Sequence, residues 1–521
     1  MKPSLIHLSL VAAANAVTVP LEARNSNCSI KWTKCDAALE KLKTSKLPIE
    51  CANVTAPLDY TKRDSKETVT LELIRVPAVK KPSKGTILFN FGGPGDAGRT
   101  GMLEQMDQLM PSVGYQHDLV AFDPRGTVNT LTFTCRNETE LAAFTSKFPT
   151  YSNSSDNALG RTWAGQGVVA ETCYERKKSI GSYVGTAFTA RDLMTVVDAL
   201  GEDGLLRYWG FSYGTTLGAT VAAMFPDRMD KVILDGVQNA HEYYHSHDEQ
   251  MNLMADESFS GFFKHCVESP TCPLASKNHT AAQLERQFWN FLYKVKYDPV
   301  RVGTDIVDYD MIKNVVVASL YGPSSWINLA KSLGDLFNKN NATTLIEYEK
   351  KIRGNVQASV TPDANPGIQC GDKDIKRVVS REDFMPVVNE KYNTSKAIAD
   401  SLMFSDMACA QWKMDAKERY GGDFHVKTKK PLLFIGNTWD PMTPYQSAHN
   451  MSSGFEGSGL IELKSYGHGS FAQPSACVVR AVREYFATGK IPEKGKKCET
   501  DTPAFSGKTF ADVLKIVDGS K

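Results

Sequence analysis

Residues 205–226 read LLRYWGFSYGTTLGATVAAMFP, and their order limits the possible folds more than any other stretch of the chain. LLRYWG has the length of a strand and is dominated by residues that suit one. SYGTTLGATVAAMF has the length of a helix, with small residues on its early turns and Pro226 after its end. Gly210 and Gly214 flank Ser212 where the two meet. The bare pattern G-x-S-x-G carries little weight. At average Gly and Ser usage, chance supplies it roughly 0.2 times in a chain of this length. The strand before it and the helix after it are what give it meaning. Such an elbow holds Ser212 in a strained conformation at the C-terminal edge of a sheet. It also sets the serine at a helix N-terminus, whose dipole favours developing negative charge.

Other short apolar runs end in turn signals: 68–79, 85–95, 118–126, 230–237, 431–440 and 459–469. Most are apolar throughout rather than alternating, which suits strands buried on both faces of a parallel sheet. Helical patterns lie between some of them. In TARDLMTVVDALG, Leu193, Val196, Val197 and Leu200 recur at helical spacing; Thr189 with Asp192 reads as a capping box and Gly201 as the stop. Strand, helix, strand in this order predicts a doubly wound, mostly parallel α/β sheet. Residues 241–425 differ. WINLAKSLGDLFNK and QLERQFWNFLYKVK are helical in pattern and buried-strand runs are few, so this segment reads as a large, mainly helical cap insertion. The division is then 1–16 as a signal peptide, 17–240 and 426–521 as two parts of one core, and 241–425 as the cap.

The signal peptide rests on Lys2, the apolar stretch LIHLSLVAAANAV and an A-x-A site at Ala14–Ala16. Export agrees with eight N-x-[ST] acceptors, at Asn27, Asn53, Asn137, Asn153, Asn278, Asn341, Asn393 and Asn450. It also agrees with eleven cysteines. Local pairing suggests Cys35–Cys51, Cys135–Cys173, Cys266–Cys272, Cys370–Cys409 and Cys477–Cys498, with Cys28 left over and able to compete for Cys51. No His/Cys set has zinc spacing, so neither a metal nor a cofactor is expected. With 60 basic and 59 acidic residues the formal charge is +1, and no basic block points to nucleic acid or a membrane surface. A secreted monomer acting on small peptide or ester substrates is the expectation.

A serine hydroxyl needs a base to take its proton. For a sheet with this elbow the chain order is Ser, then Asp or Glu, then His. Asp440 stands just past one late strand and His468, between Gly467 and Gly469, just past the next. The oxyanion formed by attack needs preorganised N–H donors. Tyr213, after the serine, supplies one, and the loop NFGGPGDAG (90–98) supplies the other through Gly92. If the substrate has a free α-ammonium group, a carboxylate must receive it. Asp372 and Glu242 are the candidates, with Trp412, Tyr243 and Tyr244 as lining for an apolar ring or as plain core.

The pieces FGGPG (91–95), DPRG (123–126), DALG (198–201), GFSYGTTLG (210–218), DPMTP (440–444) and GHG (467–469) run in one order along nearly the whole mature chain. In this the sequence resembles the secreted α/β-hydrolase peptidases of the prolyl iminopeptidase and tripeptidyl aminopeptidase group. CANVTAPLDY (51–60), IQCGD (368–372) and CAQW (409–412) look closer to the tripeptidyl branch. The resemblance implies an α/β-hydrolase fold, a triad of Ser212, Asp440 and His468, an oxyanion hole at Tyr213 and Gly92, and structural roles for Asp123 and Arg125. The chain departs from the group at Asn90-Phe91, where prolyl iminopeptidases usually carry a histidine, and at Asp96, where the tripeptidyl branch more often has glycine. Two other readings use the same residues differently: a secreted carboxylesterase or lipase-like hydrolase, and an inactive extracellular binding module.

Overall fold

The structure is a computed structural model that describes residues 30–519 except 63, 149, 276–278, 357–360 and 376. The signal segment, Asn27, Cys28 and Asn278 lie outside the described residues. One nine-stranded sheet organises the chain. Its strands are β1 Glu50–Pro57, β2 Thr68–Val76, β3 Thr86–Asn90, β4 Asp118–Phe122, β5 Leu206–Phe211, β6 Met229–Asp235, β7 Leu433–Trp439, β8 Gly459–Tyr466 and β9 Lys496–Glu499. They lie in the order β1-β2-β4-β3-β5-β6-β7-β8-β9. The β1–β2 and β2–β4 pairs are antiparallel and all others parallel.

The apolar runs form the strands expected of them because both faces are covered. Leu119 and Ala121 face one side of the sheet, with Phe89, Trp209, Ile233 and Ile435. Helices α1 (Gly98–Ser112) and α5 (Ala476–Thr488) pack there. Val120 and Phe122 face the other side, against α2 (Ala158–Lys177), α3 (Thr186–Leu200) and α4 (Tyr213–Met224). This is the doubly wound α/β-hydrolase arrangement. Strand β1 was not among the apolar runs because only alternate residues are buried in it, as suits an edge strand.

Between β6 and β7 the insertion serves two cores. Five helices between Ala255 and Val356 enclose a core of their own around Phe259, Phe262, Phe288 and Trp326. Two later helices, Ala364–Asp372 and Ala399–Ala410, join the core of α2, α3 and α4 through Ile368, Cys370, Ala408 and Cys409. The Cys370–Cys409 disulfide ties those two helices together, and all five expected disulfides form. Of the glycosylation acceptors described, Asn53, Asn137, Asn153, Asn341 and Asn393 are exposed and Asn450 is half-buried. Among the described residues no helix is long and apolar enough to cross a membrane.

The capping box at Thr189 and Asp192 does not form. Helix α3 starts at Thr186, one turn earlier, and Gly201 ends it at φ 66° as expected. Asp192 instead points into the core. Its carboxylate receives the Arg125 guanidinium through Nε at 2.5 Å and Nη2 at 2.8 Å, and the Tyr60 hydroxyl at 2.8 Å. Arg125 also donates to the carbonyls of Pro57 and Leu58, so one buried guanidinium joins the end of β1, the DPRG turn and α3. Removing one partner of such a pair strands the other charge. Arg125→Met is expected to lower stability by about 3–5 kcal/mol. Arg125→Met with Asp192→Leu should recover most of that loss in urea unfolding. A single variant as stable as the parent contradicts this role.

Candidate active site

The register of the parallel strands brings their C-terminal ends to one edge. Asn90 lies beside Gly210, Phe211 beside Asp235, and Asp235 beside Ile435. The loops after β3, β5, β6, β7 and β8 therefore gather in one place, and Gly92, Ser212, Tyr213, Asp440 and His468 all stand on them.

Ser212 occupies φ 56°, ψ −128°, a region that costs a non-glycine residue of order 1–3 kcal/mol. The flanking glycines make the turn fit. A Cβ on Gly210 would lie 2.3 Å from the Gly214 carbonyl oxygen, and one on Gly214 would lie 2.4 Å from that of Asn90. The loop after β3 lies against the serine. A Cβ on Gly92, at φ 110°, would sit 2.8 Å from Ser212 Cβ.

Asp440 is wholly buried at the end of β7. Its carboxylate accepts the N–H groups of Met442 and Thr443 at 2.9 Å and of Gly469 at 3.0 Å. Both of its oxygens lie 3.0 Å from His468 Nδ1, and Thr443 Oγ1 lies 3.1 Å from the same nitrogen. Burial alone pushes the imidazole toward its neutral form. The Asp440 charge and hydrogen bond outweigh that and raise it above its ordinary pKa, with a further contribution from Asp235.

The histidine loop is held from several sides. Asn437 Nδ2 donates to the carbonyls of Gly467 and Gly469, and the Tyr321 carbonyl accepts the His468 N–H at 2.9 Å. The Tyr321 ring meets the imidazole edge-on, with centroids 5.5 Å apart. Asp235 accepts from Ser470, two residues past the histidine, and its carbonyl accepts the Ser212 N–H.

The two glycines at the start of the loop after β3 differ in their hydrogen bonding. The Gly92 N–H is engaged by its own neighbour, donating to Asn90 Oδ1 at 3.1 Å. Gly93, next along, is exposed, and its N–H has no hydrogen-bond partner among the described residues. The Gly93 N–H is therefore a further candidate donor beside those of Tyr213 and Gly92. Asn90, in the Asn90-Phe91 pair where the chain departs from the histidine of prolyl iminopeptidases, carries a short amide that reaches back to its own loop.

The two expected ammonium ligands differ in burial and partners. Asp372 is wholly buried and fully partnered, accepting from the Thr186 N–H and hydroxyl and from the Tyr243 hydroxyl. Burial pushes it up to about 6. It serves the core beneath Tyr213, whose hydroxyl bonds Thr186. Trp412, Tyr243 and Tyr244 are likewise buried in that core. Glu242 is half-buried, pushed up to about 7 by burial, and accepts the Gln250 N–H at 2.7 Å beside a water-sized cavity behind Thr443. Asp96 is different. It stands on the oxyanion loop, half-buried, and its carboxylate has no hydrogen-bond or ion-pair partner among the described residues. Burial, with the nearby Glu104 charge, pushes it up to about 6. The charges of Asp96 and Asp440 both reach the Tyr321 hydroxyl. The sequence signal was the departure from glycine at this position. Among the described residues, only Cys135, Cys173 and Asp363 cluster as metal ligands would. The two sulfurs form a disulfide and Asp363 pairs with Arg136, so no thiolate is left to bind an ion.

Residues 395–498, which include Asp440 and His468, match the family model described as TAP-like protein. A tripeptidyl aminopeptidase of Streptomyces lividans is 26% identical over 91% of this chain and 88% of its own length. Serine protease Hip1 of Mycobacterium tuberculosis is 25% identical over 90% of this chain and 91% of its own. Carboxylesterase B of Mycobacterium tuberculosis is 26% identical over 90% and 89%. With these likenesses over nine-tenths of its length, the sheet and its edge loops identify the chain as a serine hydrolase of the peptidase type, built on the α/β-hydrolase fold and carrying a TAP-like segment.

Proposed function

We propose that this protein is a secreted serine aminopeptidase that releases short N-terminal pieces from peptides, whether tripeptides or single residues such as proline. The observation that carries the reading is the His468–Asp440 pair, 3.0 Å apart on loops that meet the Ser212 elbow. In this reading Ser212 Oγ attacks the scissile carbonyl carbon as His468 Nε2 takes the hydroxyl proton. The carbonyl electron pair moves onto oxygen, which the N–H groups of Tyr213 and Gly93 receive. The pair returns, the C–N bond breaks, and His468 passes its proton to the leaving amine. Water then attacks the acyl-Ser212 ester with His468 again as base. The N-terminal fragment departs as a carboxylic acid and Ser212 regains its proton. Asp440 holds the imidazole in the tautomer whose Nε2 is free to accept. No cofactor enters these steps.

The names of the first two relatives support a peptidase, and the disulfides and exposed acceptor asparagines support export. Asp96 suits the ammonium group. A carboxylate removed from water without a cation is costly, and a substrate's α-ammonium would supply one beside the oxyanion loop. The test is a panel of aminoacyl, dipeptidyl and tripeptidyl arylamides with free or acetylated amines, set beside short-chain esters. Free-amine arylamides are expected to be cleaved and acetylated ones spared. Asp96→Asn is expected to raise KM for free-amine substrates about tenfold or more and to leave that for esters alone. The relative named carboxylesterase B favours a second reading, in which esters are the substrate. Activity confined to esters would establish that reading and remove the first.

A further inference from the structure

Asp235, the last residue of β6, joins the two halves of the site. Its backbone carbonyl accepts the Ser212 N–H at 3.2 Å. Its carboxylate is wholly buried and accepts the Ser470 N–H at 2.8 Å, the Ser470 hydroxyl at 2.6 Å and Trp209 Nε1 at 3.4 Å. No lysine or arginine pairs with it among the described residues. The two loops touch directly as well, since a Cβ on Gly236 would lie 3.2 Å from Gly469 Cα. Holding the loop does not by itself require an acid. Asn437 and the Tyr321 carbonyl already tether it, and any neutral acceptor would satisfy the Ser470 N–H. An unpaired carboxylate in this place is expensive, and burial pushes it up to about 6. The group nearby that gains positive charge during turnover is His468.

We propose that Asp235 is a positioning residue with an electrostatic share in catalysis. Its carboxylate fixes the His468 loop against the Ser212 elbow and, with Asp440, gives the imidazolium two negative neighbours. The proposal rests on the Ser212–Asp440–His468 reading. Around the imidazole the titratable groups are Asp440 from the end of β7, Asp235 from the end of β6 and Tyr321 from the insertion. Asp440 is the charge that in turn faces Asp235.

Asp235→Asn keeps the acceptor for Ser470 and removes the charge, and the Ser470 hydroxyl can turn to accept from the new amide. A neutral residue there makes His468 less basic. The acid limb of kcat/KM should therefore move to lower pH by about one unit, with kcat down roughly tenfold. Ser470→Ala loosens the clamp but keeps the charge, so it should lower kcat and leave the limb near its original place. Should Asp235→Asn not fold, Asp235→Ser carries the same comparison. An unmoved limb in the neutral variant, or an equal shift in Ser470→Ala, overturns the proposal. Ser212→Ala run alongside separates the two failures. Full activity in that variant refutes the triad, whereas loss of activity there with an unmoved limb in Asp235→Asn refutes only the role of Asp235.

Discussion

Ser212→Ala is expected to lower kcat by about 10⁶-fold while leaving the thermal midpoint where it was. The expectation joins a chemical argument to a structural one. If Ser212 forms the covalent bond, nothing else on the elbow replaces its oxygen, and what remains comes from the oxyanion donors and substrate binding. The fold should not notice. The backbone keeps its place through the Ser212 N–H to Asp235 and the Thr215 N–H to the Ser212 carbonyl, and neither bond uses the side chain. Alanine at φ 56°, ψ −128° is no more strained than serine. The measurement is turnover of a free-amine arylamide together with a melting curve. Retained turnover would place the nucleophile elsewhere. A collapsed melting curve would show that the hydroxyl serves the fold.

The next largest effect is expected for Asp440→Asn, at about 10⁴-fold in kcat with KM little changed. An amide has one acceptor oxygen where the carboxylate has two. The carboxylate now receives Met442, Thr443 and Gly469 N–H groups as well as His468. If the amide NH₂ faces Nδ1, the imidazole proton is driven to Nε2, where it blocks acceptance of the serine proton. The defect is one of tautomer, so Asp440→Asn with Ser212→Ala should be no worse than Ser212→Ala alone. A double variant much slower than both singles would mean that the two residues do not act as a unit.

Most of the scaffold was legible because burial on both faces leaves a plain mark. VILDG and LLFIG are apolar where both sides are covered, and they became β6 and β7 at nearly the expected limits. The elbow, Asp440 and His468 were legible through chain order. Individual polar side chains were harder, because sequence does not say which way a side chain points. Thr189 and Asp192 have the spacing of a cap, but Asp192 found Arg125, 67 positions away, a stronger partner than any backbone N–H. Asp372 was a candidate for a substrate's ammonium group by its sequence context, and it is a buried acceptor for Thr186 and Tyr243. Gly92 and Gly93 are indistinguishable in sequence, and only the Asn90 amide separates them. Asp235 carried a faint signal, an acid closing the apolar run Val232–Leu234, that pattern alone gave no reason to prefer.

The insertion touches both moving parts of the proposed chemistry. Tyr321 holds the His468 amide by its carbonyl, and on the other side Asn365 Nδ2 donates to the Pro94 carbonyl, with a Cβ on Gly95 reaching to within 2.9 Å of the Asn365 nitrogen. These bonds make the insertion a keystone rather than a canopy. A chain trimmed to its sheet and five flanking helices would lose a tether on the base and a buttress of the oxyanion loop together. An engineer seeking broader substrate access in this scaffold should therefore recut the insertion between those two anchor points and keep both.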